Sequence, residues 1–255
     1  MASGDGPLTA TQVEQFEELG YVLVDTPFDE AWLTAAEAAF DRLTGATSPP
    51  ESSEAAVRWP PDKQDDEGYV AALSHPFLER VAQQMLRAER VRIIEEGPTL
   101  RPPGSPDDPP EHDAAGAWAG GAHIDWQCTD SDFRATPRRD LLACWLWLTD
   151  TPAERAAMRI LPRSHRAINQ HFEKVLKPEH KQWLPRHHPL FPRPPLSYPT
   201  HPEHIEEPAD FPYSTMEPTP VVAKRGQLQV FTQTMLHTAW RERLPPPLPS
   251  SFRRN

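Results

Sequence analysis

The order of patterns along this chain predicts an α+β fold, mainly β, with flanking helices and an antiparallel sheet or barrel. Helical periodicities fill residues 1–90, strand-like segments fill much of 91–255, and those strands are separated by long loops. Alternating strand–helix units, which build parallel sheets, do not occur in the sequence. One domain spanning 1–255 is expected, with a helical support region (1–90) and a sheet core (91–255) that carries a proline-rich insertion at 185–220.

Each element has a local reason. Thr9-Ala10-Thr11-Gln12 has the form of a capping box, Val13, Phe16 and Leu19 follow at helical spacing, and Gly20 closes the helix. Tyr21–Val24, aromatic and β-branched, reads as a short strand. Asp29 caps a second helix reaching about Leu43, with Trp32, Ala36, Phe40 and Leu43 on one stripe. Residues 44–65 form a loop of Ser, Glu and Pro. Pro76 suits the first turn of a third helix, with Leu78, Val81 and Met85 inward. Val91–Ile94 is a strand candidate, and a Pro/Asp/Gly-rich loop (102–121) then delivers the chain to His123. Leu141–Leu148 is continuously apolar and reads as a fully buried strand, with Cys144 a small hydrophobe inside it; Met158–Leu161 is a shorter strand. A helix is expected over 167–176. Gly226–Phe231 alternates with a period of two and leads to His237 just beyond the strand.

Composition removes several function classes. The 32 prolines, far above the usual share of about 5%, cluster in loops and do not mark the whole chain as disordered. A formal charge of −11 argues against nucleic acid or an anionic membrane as partner. The longest apolar run, Leu141–Leu148, falls far short of the roughly 20 residues a membrane span needs. Two cysteines, Cys128 and Cys144, make no disulfide framework, so a reducing, cytoplasmic setting is expected, with no secretory leader visible. No glycine-rich phosphate loop and no G-x-S-x-G elbow is present in the sequence.

What remains is a set of histidines beside carboxylates. A non-haem Fe(II) site takes two imidazoles and one carboxylate on one face of the metal. His123-Ile124-Asp125 suits it, because residues i and i+2 of a strand point the same way. His237 supplies a third ligand from a distant strand. His171-Phe172-Glu173 sits in an expected helix, where i and i+2 diverge, and His201–Glu206 lies among prolines. Spacing alone leaves open a turn histidine beside a solvated aspartate.

Four segments in order resemble the phytanoyl-CoA dioxygenase family of Fe(II)- and 2-oxoglutarate-dependent oxygenases. LTATQVEQFEELGYVLV resembles its opening helix and strand, and GAHIDW its His-x-Asp motif. LLACWLWLTDTPAERAAMRILPRSHR resembles the segment ending in a Pro-Gly-Ser-His turn, and RGQLQVFTQTMLHTAW the strand with the distal histidine. The resemblance implies a double-stranded β-helix (jelly-roll, cupin-like) core and iron held by His123, Asp125 and His237. It implies an arginine fork on the far carboxylate of 2-oxoglutarate. Arg253 matches best, with Arg254, Arg241 and Arg243 as alternatives. Trp145 matches a tryptophan beside the cosubstrate, or else is a core aromatic, and Arg101 resembles a basic position nearby. Asp125 points to hydroxylation over halogenation, with O2 and a small organic molecule as substrates and a monomer or homodimer as the assembly. His165 and His112 are expected as turn or loop residues.

The sequence departs from the family pattern in places. Asn-Gly reads Ala156-Ala157, Pro-Gly-Ser-His reads Pro162-Arg163-Ser164-His165, and Gly-Asp reads Gly226-Gln227. The sequence stops at Asn255, where relatives normally continue with the strand that carries the arginine, so either the sequence is truncated or that last strand is very short. These departures keep a second reading in view: a catalytically inactive jelly-roll binding module. A proline-rich interaction protein is a third.

Overall fold

A computed structural model describes residues 6–44, 66–93, 124, 141–153, 157–175 and 216–239. The opening helix, α1 (Ala10–Leu19), starts at the expected capping box. Thr9 Oγ1 accepts from the Gln12 backbone N–H at 3.2 Å, and Gln12 Oε1 accepts from the Thr9 N–H at 2.8 Å. Gly20 ends the helix at φ 85°, where its N–H donates to the Phe16 carbonyl at 2.7 Å. A side chain there would strike His165 and Met235, so close packing and backbone both call for glycine. Strand β1 (Tyr21–Val24) follows at once.

Helix α2 (Glu30–Thr44) begins where Asp29 Oδ1 accepts the Trp32 N–H at 2.8 Å. Its buried stripe is Leu33, Ala36 and Ala39, one position round from the expected one. Trp32, Phe40 and Leu43 are only half-buried. Trp32 instead stacks on Phe28 at 3.9 Å between centroids, which turns it toward the helix edge. Helix α3 (Glu67–Leu73) was not foreseen; Asp66 caps it and is gripped by both Nε and Nη2 of Arg42 at 2.9 Å. That fork and the capped N–H hold the Asp66 carboxyl down at about 2. Helix α4 (Pro76–Leu86) has Pro76 in its first turn, with Phe77 and Val81 buried. Val91–Ile93 is not a strand, and Ile93 is exposed. Ile94 lies outside the described residues.

The remaining elements are β2 (Leu142–Leu146), β3 (Met158–Ile160), α5 (Ser164–Val175), β4 (Thr219–Pro220), β5 (Leu228–Thr232) and β6 (His237–Ala239). Among the described residues the strands form two antiparallel three-stranded sheets, β1-β5-β2 and β4-β3-β6. In the first, Val22 pairs with Val230, which pairs with Cys144 on the other side. In the second, Ile160 pairs with His237.

Two expectations fail. Among the described residues β2 pairs on one side alone, with β5, and it is half-buried rather than fully buried, with Cys144 exposed as a free thiol. β5, flanked on both sides, is the strand buried through Leu228–Phe231, including Gln229 at 0% exposure. Its sequence alternation therefore reports two buried faces. α5 starts three residues before the expected 167, so His165 lies in its first turn rather than in a loop. His237 opens a strand of its own.

Two apolar clusters follow from this topology. One joins Leu8, Val22, Val24, Phe77, Val81, Leu228 and Val230 on the helix-facing side of the first sheet. The other joins Met158, Ile160, Val221, Phe231 and Met235 with partly buried Tyr21, Ala143, Trp145 and Trp147. That second cluster draws on both sheets. The turn before β5 is tied to α2 through Arg225, whose Nη1 meets Glu30 at 2.7 Å and Nη2 meets Glu37 at 3.0 Å. Next to it Gly226 has φ 88°, and a side chain there would press on Leu33 Cδ1 at 2.9 Å.

Candidate metal centre

His237 is 2% exposed and lies at the head of β6, against the second cluster. Its ring meets Phe231 edge-on at 5.2 Å between centroids. Phe231 in turn meets Trp145 at 6.0 Å, so Trp145, Phe231 and His237 form one aromatic chain. Trp145 is half-buried and directly opposite Gln229 in the ladder. The structure thus brings two of the sequence-derived candidates, His237 and Trp145, to a common aromatic partner.

One hydrogen bond decides what the imidazole offers. His237 Nδ1 lies 2.9 Å from the Met235 carbonyl oxygen. A carbonyl only accepts, so in the neutral ring Nδ1 carries the hydrogen. The lone pair is then on Nε2. This is the arrangement in which metal-binding histidines are held, with the distal nitrogen anchored to a carbonyl and the other presented as ligand. The donor chemistry fits a divalent transition metal.

His123, Asp125, Arg101 and Arg253 lie outside the described residues, as do Arg254, Arg241 and Arg243. Ile124, the middle residue of the His-x-Asp motif, is described and is buried at 1% exposure. Among the described residues no group of three His, Cys, Asp or Glu side chains converges to hold a metal. His171 falls within α5, whose backbone spreads positions i and i+2, as the sequence implied.

The turn before α5 holds an arginine in a left-handed backbone conformation. Arg163 adopts φ 73°, a left-handed conformation that costs a non-glycine residue about 1 kcal/mol or more. Its N–H donates to the Leu19 carbonyl at 2.9 Å, and its guanidinium pairs with Glu18 at 2.8 Å. Ser164, next along, is fully buried; its Oγ accepts the Leu236 N–H at 2.8 Å and donates to Met235 Sδ at 3.2 Å. Sequence reasoning passed over Ser164. Its signal was a small hydroxyl residue between a turn and an amphipathic helix, the usual place of a cap, here turned instead toward the segment before His237. Burial holds the neighbouring His165 imidazole below its ordinary pKa, against a hydrogen bond to the Glu17 backbone and the charge of Glu18.

Sequence reasoning also passed over Gln229. Its Nε2 donates to Met158 Sδ at 3.0 Å, and its Oε1 has no hydrogen-bond partner among the described residues. Trp147 Nε1 is in the same condition.

Paired antiparallel sheets with an oriented imidazole define a β-sheet protein with a candidate metal ligand at a strand head. The phytanoyl-CoA dioxygenase family model matches residues 16–243, and the chain belongs to that family. Among solved structures it is similar to HygX from Streptomyces hygroscopicus, a structure with nickel and 2-oxoglutarate bound. There the identity is 12%, the match covers 93% of this chain and 82% of that one, and the TM-score is 0.52. It also matches the non-heme alpha ketoglutarate dependent carbocyclase SnoK from nogalamycin biosynthesis at 16% identity, over 93% and 78% of the two chains, with TM-score 0.49. AviO1 from Streptomyces viridochromogenes Tue57 matches at 14%, over 91% and 87%, with TM-score 0.49. At these identities the likeness to HygX concerns the fold. Comparison with curated proteins gives no match.

Proposed function

We propose that this chain is an Fe(II)- and 2-oxoglutarate-dependent dioxygenase that hydroxylates a small organic substrate, built on a jelly-roll core. The observation that carries the reading is His237: buried, with Nδ1 hydrogen-bonded to the Met235 carbonyl, so that the neutral ring has its lone pair on Nε2. Membership of the family over residues 16–243 supports it. The two antiparallel sheets and the likeness to HygX support the jelly-roll.

In this reading His123 and Asp125 complete the ligand set with His237. Arg253, or Arg254 beside it, forks the far carboxylate of 2-oxoglutarate; Arg101 adds positive charge nearby. Trp145 walls the cosubstrate through its contact with Phe231. When bound, iron and 2-oxoglutarate supply the oxidising chemistry toward O2 and a C–H bond. The chain's own task is to orient three ligands, keep the centre dry and position the substrate. Among the described residues no helix is long and apolar enough to cross a membrane.

The test is titration of purified, metal-free protein with Fe(II) and then 2-oxoglutarate under anaerobic conditions, followed by admission of O2. Ordered binding and release of succinate support the dioxygenase. Metal binding with no consumption of 2-oxoglutarate makes the inactive jelly-roll binding module the better reading. Absence of both removes the metal centre.

A further inference from the structure

The Met235–Leu236 peptide group has two ends, and both are held by side chains. Its N–H donates to Ser164 Oγ at 2.8 Å, while its carbonyl accepts from His237 Nδ1 at 2.9 Å. The hydroxyl of Ser164 thus sits at one end of a relay and the imidazole at the other. We propose that Ser164 is a positioning residue for the His237 imidazole, fixing its tautomer and orientation through this shared peptide. The inference rests on the reading of His237 as a ligand.

The geometry leaves the relay little freedom. Ser164 is fully buried, and its one hydroxyl hydrogen goes to Met235 Sδ at 3.2 Å, so its lone pairs face the Leu236 N–H. Met235 N–H donates to the Thr232 carbonyl at 2.9 Å, and the Leu236 carbonyl accepts from the Leu161 N–H at 2.9 Å. The peptide plane is therefore pinned on both sides. Phe231, edge-on to the ring, limits its swing.

Alanine at 164 leaves a buried N–H without a partner. The plane then tips in search of one and carries the Met235 carbonyl with it. A peptide whose N–H is engaged is also more polarised and accepts more strongly at its carbonyl. Ser164 thereby favours the Nδ1–H tautomer. It does so from another element, the start of α5, which is itself anchored to α1 through the Arg163 N–H and the Leu19 carbonyl.

The experiment reads the ring directly. Long-range proton–nitrogen spectra of 15N-labelled, metal-free protein identify the His237 signals by their loss in His237→Gln. Wild type is expected as the Nδ1–H tautomer alone. Ser164→Ala should show a tautomer mixture and weaken Co(II) binding on the order of tenfold or more, the range of outer-shell partners of metal ligands. Ser164→Cys keeps the volume with a weaker acceptor and should fall between; it carries the test if the alanine variant does not fold. Ser164→Thr keeps the hydroxyl and should restore most of the tautomer bias. Val81→Ala, in the helix-facing cluster, lowers stability and should leave both readings unchanged. Wild-type tautomer and Co(II) affinity in both the Ala and Cys variants would overturn the proposal, as would an equal change in Val81→Ala or a failure of the threonine to rescue. Retention of Co(II) by His237→Gln would sink the ligand assignment instead, and the metal-free spectra would still judge Ser164.

Discussion

Strand β5 shows two faces of opposite character. Leu228 and Val230 meet Val22, Val24, Phe77 and Val81 in an apolar cluster. Gln229 and Phe231, on the other face, belong to the side where Trp145, Met158 and His237 gather, with an amide oxygen that has no hydrogen-bond partner among the described residues. Side chains alternate across a strand, so one five-residue segment serves both faces. The first face follows the rule that buried side chains are apolar and closely packed. The second departs from it where the candidate site begins, as local conflicts with stability tend to do near sites.

The contrast can be broken from either side. The largest expected effect is on the helix-facing side: Phe77→Ala should destabilise by about 3–5 kcal/mol, as large-to-small core changes do. Denaturant unfolding measures it, and metal affinity should stay within twofold. A parallel loss of metal affinity would show that the two faces are not separable. Next comes Gln229→Leu, which removes an amide whose Oε1 has no partner among the described residues, at similar volume, and should stabilise by about 1–2 kcal/mol. A loss of stability would mean that the amide is satisfied in solution by something worth keeping. Smaller still is Arg163→Gly, expected to stabilise by about 1 kcal/mol through relief of the φ 73° conformation. Its exposed pair with Glu18 contributes little.

The smallest effect is a pH dependence. The folded-state pKa of His165 is depressed, mainly by burial. Below the ordinary imidazole range the unfolded chain then binds the proton more readily than the folded one. Stability is full above about pH 6.5 and declines as pH falls through that value toward the lower folded pKa. His165→Asn should flatten this part of the stability–pH curve, read by thermal unfolding from pH 7.5 to 5. An unchanged slope would assign it to other groups.

How far the sequence disclosed all this follows the range of the interactions. α1, β1 and α4 were legible because Thr9, Gly20 and Pro76 act within a turn of themselves. The antiparallel character was legible in the element order. The half-burial of β2 was not, since continuous apolar character says nothing about how far a strand's faces are covered. Helix α3 is short, and its cap depends on Arg42, 24 residues away, so no local period announced it. Of the site, His237 and Trp145 could be chosen from motif resemblance. Ser164 could not: its partner Leu236 lies 72 residues on, and a serine after Pro-Arg looks like any turn residue.

The central claim is that His237 is a metal ligand together with His123 and Asp125. Anaerobic calorimetry of Fe(II) binding to wild type and single alanine variants tests it most directly. Outer partners of metal ligands are worth 10–100-fold, so losing a ligand itself should weaken binding at least about tenfold. His123→Ala, Asp125→Ala and His237→Ala should each do so, while His171→Ala and His204→Ala bind as wild type does. Loss of the metal in His204→Ala with retention in His237→Ala would contradict the account.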